Sequence, residues 1–161
     1  MKLAIYAGAA LWIGVHLWAV LFGSTLDPIM AAALPALGTL GMLIGAFGLS
    51  QRAEQPSLRL SFAVLMAGMF LYILGVALTA LGAPNAGGIA ALGLLVTTLG
   101  LLAVGIANIR PRLFGAFFWL PLILSLIYLT SWLPVSSFPQ NQWMSVVYGL
   151  GWLAMGLTAK T

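Results

Sequence analysis

The 161-residue chain is 63% hydrophobic and 5% charged, with a mean hydropathy of +1.14, whereas an average soluble domain carries about 25% charged residues. Six Lys/Arg and two Asp/Glu cannot cover the surface of a water-soluble globule, which excludes a soluble enzyme, a nucleic-acid binder and a disordered tail. The basic excess reads as membrane orientation rather than a nucleic-acid patch, and the absence of cysteine excludes disulfides, thiolate metal sites and thiol nucleophiles.

Runs of ~20 mostly apolar residues between breakers mark bilayer spans, because in lipid each helix must satisfy its own backbone. Such runs predict an all-α, polytopic membrane helix bundle forming one transmembrane domain over 1–161, with six spans at about 3–23, 28–50, 58–81, 88–108, 112–133 and 142–158. Lys2 and the apolar run behind it could open a signal peptide. The run reaches span length and no small-x-small cleavage site closes it, so it reads as the first transmembrane helix. Asp27-Pro28 supplies an N-cap and first-turn proline for the second helix, and Gln55-Pro56-Ser57 opens the third. Gly82 to Gly88 divides the third from the fourth, Arg110-Pro111-Arg112 the fourth from the fifth, and Pro134 to Gln142 the fifth from the sixth. Pro35 and Pro121 lie inside apolar runs and are expected to kink their helices.

Cations fix the orientation, since short Lys/Arg-rich connections stay cytoplasmic. Lys2, Arg52, Arg59, Arg110, Arg112 and Lys160 fall at the chain ends and the second and fourth connections, while the other connections carry only Asp27. Both termini are therefore expected in the cytoplasm of a bacterial cell, with the protein in the plasma (inner) membrane. Trp18, Trp132, Phe138 and Trp143 then gather at the outer interface, where amphipathic rings settle.

Helices pack closely in lipid through small residues. Gly38, Gly41, Gly45 and Gly48 form one ridge on the second helix, to be met either by another helix of the chain or by a second copy or another membrane protein. Ionisable groups inside spans are functional candidates, and His16 is the one such group, ~21 Å along the first helix from Lys2. Tyr72, Tyr128 and Tyr148 reach a similar depth, so the four could line one outward-facing polar pocket. Alternatively, His16 is neutral and bonded to one hydroxyl or carbonyl, with each tyrosine an interface anchor. Thr97, Thr98 and Asn108 form a second polar stripe, read as structural: threonines bond the preceding turn and Asn108 caps a helix end.

No zinc-protease motif or intramembrane carboxylate pair occurs, and Ser24 and Ser136, the serines expected near the outer surface, sit in no glycine-flanked nucleophile elbow, so no catalytic residue, metal or cofactor is assigned. The Gln51-Arg52-Ala53-Glu54 loop after a glycine-rich helix, Arg110-Pro111-Arg112-Leu113, and the closing stretch from Gly149 to Leu157 resemble small uncharacterised six-span bacterial integral membrane proteins over about residues 34–158. That resemblance implies a fold and no activity. The sequence is thus read as a non-enzymatic membrane protein, accessory or lipid-associated. The alternatives are a carrier or channel for a small neutral or apolar molecule and a haem- or quinone-associated subunit, with His16 needing an unlike second haem ligand.

Overall fold

A computed structural model describes residues 2–23, 27–130 and 138–159, and these form six α-helices. They are α1 (Lys2–Phe22), α2 (Pro28–Ser50), α3 (Pro56–Ala80), α4 (Ala86–Ala107), α5 (Leu120–Thr130) and α6 (Phe138–Thr158), with a single 3-10 turn at Gly115–Phe117 before α5. Among the described residues, four segments are long and apolar enough to cross a membrane: Lys2–Phe22, Ala33–Ser50, Pro56–Ala80 and Ala86–Ala107.

Prolines mark the helix starts. Pro28 and Pro56 open α2 and α3, and Pro139 falls in the first turn of α6, where the missing N–H sacrifices no intrahelical bond. The end of α3 is a Schellman motif: Gly82, at φ +73°, donates its N–H to Thr79 O at 3.0 Å, and Ala83 donates to Leu78 O at 2.9 Å.

Two boundaries depart from expectation. Helix six starts at Phe138 rather than 142, because Pro139 initiates it instead of extending the loop. The fifth span, expected over 112–133, is helical only from Leu120 to Thr130. Arg112 (φ 48°) and Gly115 (φ +57°) turn the preceding chain out of the helical region. Pro121 therefore stands in the first turn of α5 and starts the helix instead of kinking it. Eleven residues rise ~17 Å, about half a hydrocarbon core. The segment before them is rich in rings: Phe117 and Trp119 are exposed and lie 5.8 Å apart, and the Arg112 guanidinium covers the Phe118 ring at 5.0 Å.

Each helix packs mainly on its neighbours in the chain, and α6 returns to α1. The result is a ring of six antiparallel helices. The direction is visible in the contacts: along α1, Ile5, Gly8 and Trp12 meet Gly45, Gly41 and Gly38 of α2 in turn. Inside the ring lie Phe62, Met69, Leu101, Trp152 and Met155, each fully buried, while Leu60, Phe70, Leu95, Leu126 and Leu157 face outward. This apolar exterior is what a lipid-facing surface requires.

Small residues set the helix spacing. Gly38, Gly41 and Gly45 all face α1, so this part of the predicted ridge is filled within the chain, and Gly48 is buried too. The tightest pairing, α3 with α4, uses a set the sequence reading did not single out. Gly68 and Gly75 oppose Gly93 and Gly100, both pairs seven residues apart, and a Cβ at any of the four would strike backbone of the facing helix. Hydroxyls inside the helices bond the preceding turn, Thr39 to Pro35 O, Thr97 to Gly93 O and Thr98 to Leu94 O, as expected for threonines that cannot reach water.

Candidate functional site

Trp12 organises an aromatic cluster inside the bundle. It lies on the buried face of α1, only 4% exposed, and donates its indole N–H to Ser145 O of α6 at 2.9 Å. Gly149 makes this approach feasible, since a Cβ there would stand 2.5 Å from Ile13 and 3.2 Å from Trp12. One helical turn along α1, the His16 ring stacks at 4.7 Å from the Trp12 ring, tilted by 49°.

Three further rings complete the cluster. Tyr148 of α6 meets Trp12 edge-on at 5.7 Å, Tyr128 of α5 stacks on Tyr148 at 4.4 Å, and Tyr72 of α3 sits 6.5 Å from Trp12. The structure therefore brings His16, Tyr72, Tyr128 and Tyr148 together around one tryptophan. Their arrangement is packed rather than open: Tyr128 and Tyr148 are 6% and 2% exposed and touch ring to ring. Aromatic pairs of this kind contribute about 0.5–1.5 kcal/mol each beyond burial, so the cluster ties α1, α3, α5 and α6 together.

His16 Nδ1 shares a 2.5 Å hydrogen bond with Gln142 Oε1 of α6. With the amide oxygen as acceptor, Nδ1 is the donor, and in the neutral ring Nε2 then keeps its lone pair. That nitrogen is enclosed and has no hydrogen-bond partner among the described residues. Chemically it can accept one hydrogen bond or donate its lone pair to a metal. Gln142 was not foreseen as the partner of His16. Its signal was available, an amide at the start of an apolar helix that must find a mate.

At the opposite end, Asn108 is fully buried and bonded through both its amide nitrogen and its amide oxygen, which agrees with its structural reading. Its side-chain N–H donates to Phe118 O at 2.9 Å, and its carbonyl accepts from the Leu113 N–H at 2.7 Å. One side chain thereby fixes the whole turn between α4 and α5.

Of the expected outer aromatic group, Trp18 and Trp143 are exposed, Trp18 pairing with Phe22 at 4.5 Å. Trp132 and Lys160 lie outside the described residues. Comparison with known proteins gave no match of any kind: no family model, no curated protein and no solved structure aligns with the chain.

Proposed function

We propose that this chain is a six-span integral protein of a bacterial plasma membrane, both termini cytoplasmic, acting without catalysis as a small accessory, lipid-associated component. The observation that carries this reading is the filled ring. Phe62, Trp152, Met69 and Met155 occupy the centre that a carrier would keep for its cargo, and interlocked glycines draw α1 to α2 and α3 to α4. The exterior is the surface left to interact, and it is apolar along its length.

Charge supports the orientation. Lys2, Arg52, Arg59, Arg110 and Arg112 stand at the same end of the antiparallel ring, which is the cytoplasmic end by the positive-inside rule.

Two experiments test the reading. The natural sequence has no cysteine, so Gln51→Cys and Gly87→Cys each create one unambiguous reporter. A membrane-impermeant maleimide should label Gly87→Cys from outside intact spheroplasts and Gln51→Cys only in inverted vesicles. Labelling of both from one side overturns the six-span topology. In proteoliposomes, glycerol and urea should equilibrate no faster than in empty vesicles, and a protein-dependent acceleration would overturn the accessory reading in favour of the carrier.

A further inference from the structure

A cleft of about 440 Å³ opens at the basic end of the ring, between the α2–α3 connection and the turn that follows α4. Arg52, Glu54 and Gln55 line it with Ala53, while Leu58 and Leu113, both buried, and Pro111 form its apolar part. We propose that this cleft binds the phosphate headgroup of an anionic membrane lipid, resting on the reading of this end as cytoplasmic and of the protein as lipid-associated.

Four features converge there. Between residues 51 and 113 the two connections and their flanks hold Arg52, Arg59, Arg110 and Arg112 against Glu54 alone. The Arg59 Nε donates to Ala53 O at 2.6 Å, so its guanidinium is tied to a residue of the cleft wall. The 25-residue α3 begins at the cleft, has no acidic residue in its first turn, and its N-cap Gln55 makes no side-chain capping bond. Its first-turn N–H groups and positive dipole end thus add to the arginine field. Finally, the wall is mixed, with Leu58 and Leu113 beside Arg52 and Gln55. That pairing suits a ligand at the boundary of headgroup and acyl chain, and basic clefts between cytoplasmic helix ends are where acidic headgroups bind. A free phosphate shares the anionic chemistry but gains nothing from the leucines.

The test uses the full chain in nanodiscs of phosphatidylcholine containing phosphatidylglycerol of matched acyl length, with lipids retained after release counted by native mass spectrometry. Wild type should retain phosphatidylglycerol over phosphatidylcholine. Arg52→Gln should weaken that retention about fivefold, the effect of one cation at a membrane surface, and Glu54→Gln should strengthen it. A misfolded Arg52→Gln is controlled by Glu54→Gln, whose gain cannot come from unfolding. Equal retention of both lipids by wild type, or phosphatidylglycerol retention unchanged in both variants, overturns the site while leaving general lipid association standing. Retention of no lipid by any sample overturns both. Displacement of the lipid by millimolar inorganic phosphate would overturn the lipid source and assign the cleft to a soluble phosphate.

Discussion

Gly8 of α1 and Gly41 of α2 meet backbone to backbone: a Cβ on Gly41 would lie 2.6 Å from the Cα of Gly8, and one on Gly8 would lie 2.6 Å from Gly38 O. Neither obstacle is a flexible side-chain end, so a larger residue must force the helices apart. Gly41→Leu is expected to lower stability by about 3 kcal/mol or more, the upper range for overpacking. Gly45→Leu should cost somewhat less, because its Cβ would meet the Ile5 side chain rather than backbone, although Ile5 is β-branched and fully buried and must shift as a whole. Chemical unfolding in mild detergent, followed by tryptophan fluorescence, ranks the two. Equal costs would contradict this distinction.

Open space does not make glycines equivalent. Neither Gly14 nor Gly82 has a heavy atom within 4 Å of its added Cβ, but Gly82 sits at φ +73° as the residue that closes α3. Gly14→Ala should therefore stabilise by about 0.5–1 kcal/mol through helix propensity. Gly82→Ala should destabilise by about 1–2 kcal/mol, the cost of a Cβ in the left-handed region. Melting temperatures moving in opposite directions are the expected result; a shift of the same sign in both would show that backbone conformation is not what distinguishes them.

Asn108 carries two hydrogen bonds at a buried turn. Asn108→Ala strands both the Leu113 N–H and the Phe118 carbonyl, at about 1–3 kcal/mol for each unsatisfied group. Asn108→Asp preserves the acceptor for Leu113 and removes the donor to Phe118. It should also place a charge in a buried site, so stability falls here as well, and neither variant should equal wild type in a thermal melt. Preserved stability in Asn108→Ala would mean that the turn holds without its side chain.

The His16–Gln142 bond yields to a double-mutant cycle. Removing either partner in His16→Phe or Gln142→Leu leaves the other's polar group unpaired, whereas the double variant leaves neither. The coupling should be about 1 kcal/mol, with the double variant more stable than the sum of the singles predicts. Visible spectra of the purified wild type and His16→Ala should both lack a haem band under the accessory reading. A band present in wild type and lost in His16→Ala would assign the enclosed Nε2 as an iron ligand.

Hydropathy and breakers made most of the helices legible, because Pro28, Pro56 and the Gly82 turn are local signals read without knowing any neighbour. The α5 boundary was not legible by that route. Residues 113–119 are as apolar as a span, yet the chain there follows Arg112 and Gly115 into left-handed conformations, and only Pro121 hinted at a later start. Glycine on α2 was visible as a ridge, but its partner was not, since Gly8 is a single residue with no pattern of its own. The seven-residue spacing of Gly68, Gly75, Gly93 and Gly100 was in plain view and gains meaning only when α3 and α4 face each other. At the site, the four polar residues were identifiable from depth along their helices. Their packing around Trp12 depends on which faces the ring turns inward, which helix period alone does not decide.

The seam between α1 and α6 has a consequence for biosynthesis. A ring closed by its first and last helices stays open until the last one is made, and the partners of the Trp12 N–H and the His16 ring, Ser145 and Gln142, are both on that last helix. A chain lacking α6 would leave the Trp12 indole N–H and the His16 ring without these partners, and unpaired polar groups away from water are costly. Completion and stability are thus coupled, because these two hydrogen bonds exist only once α6 is in place.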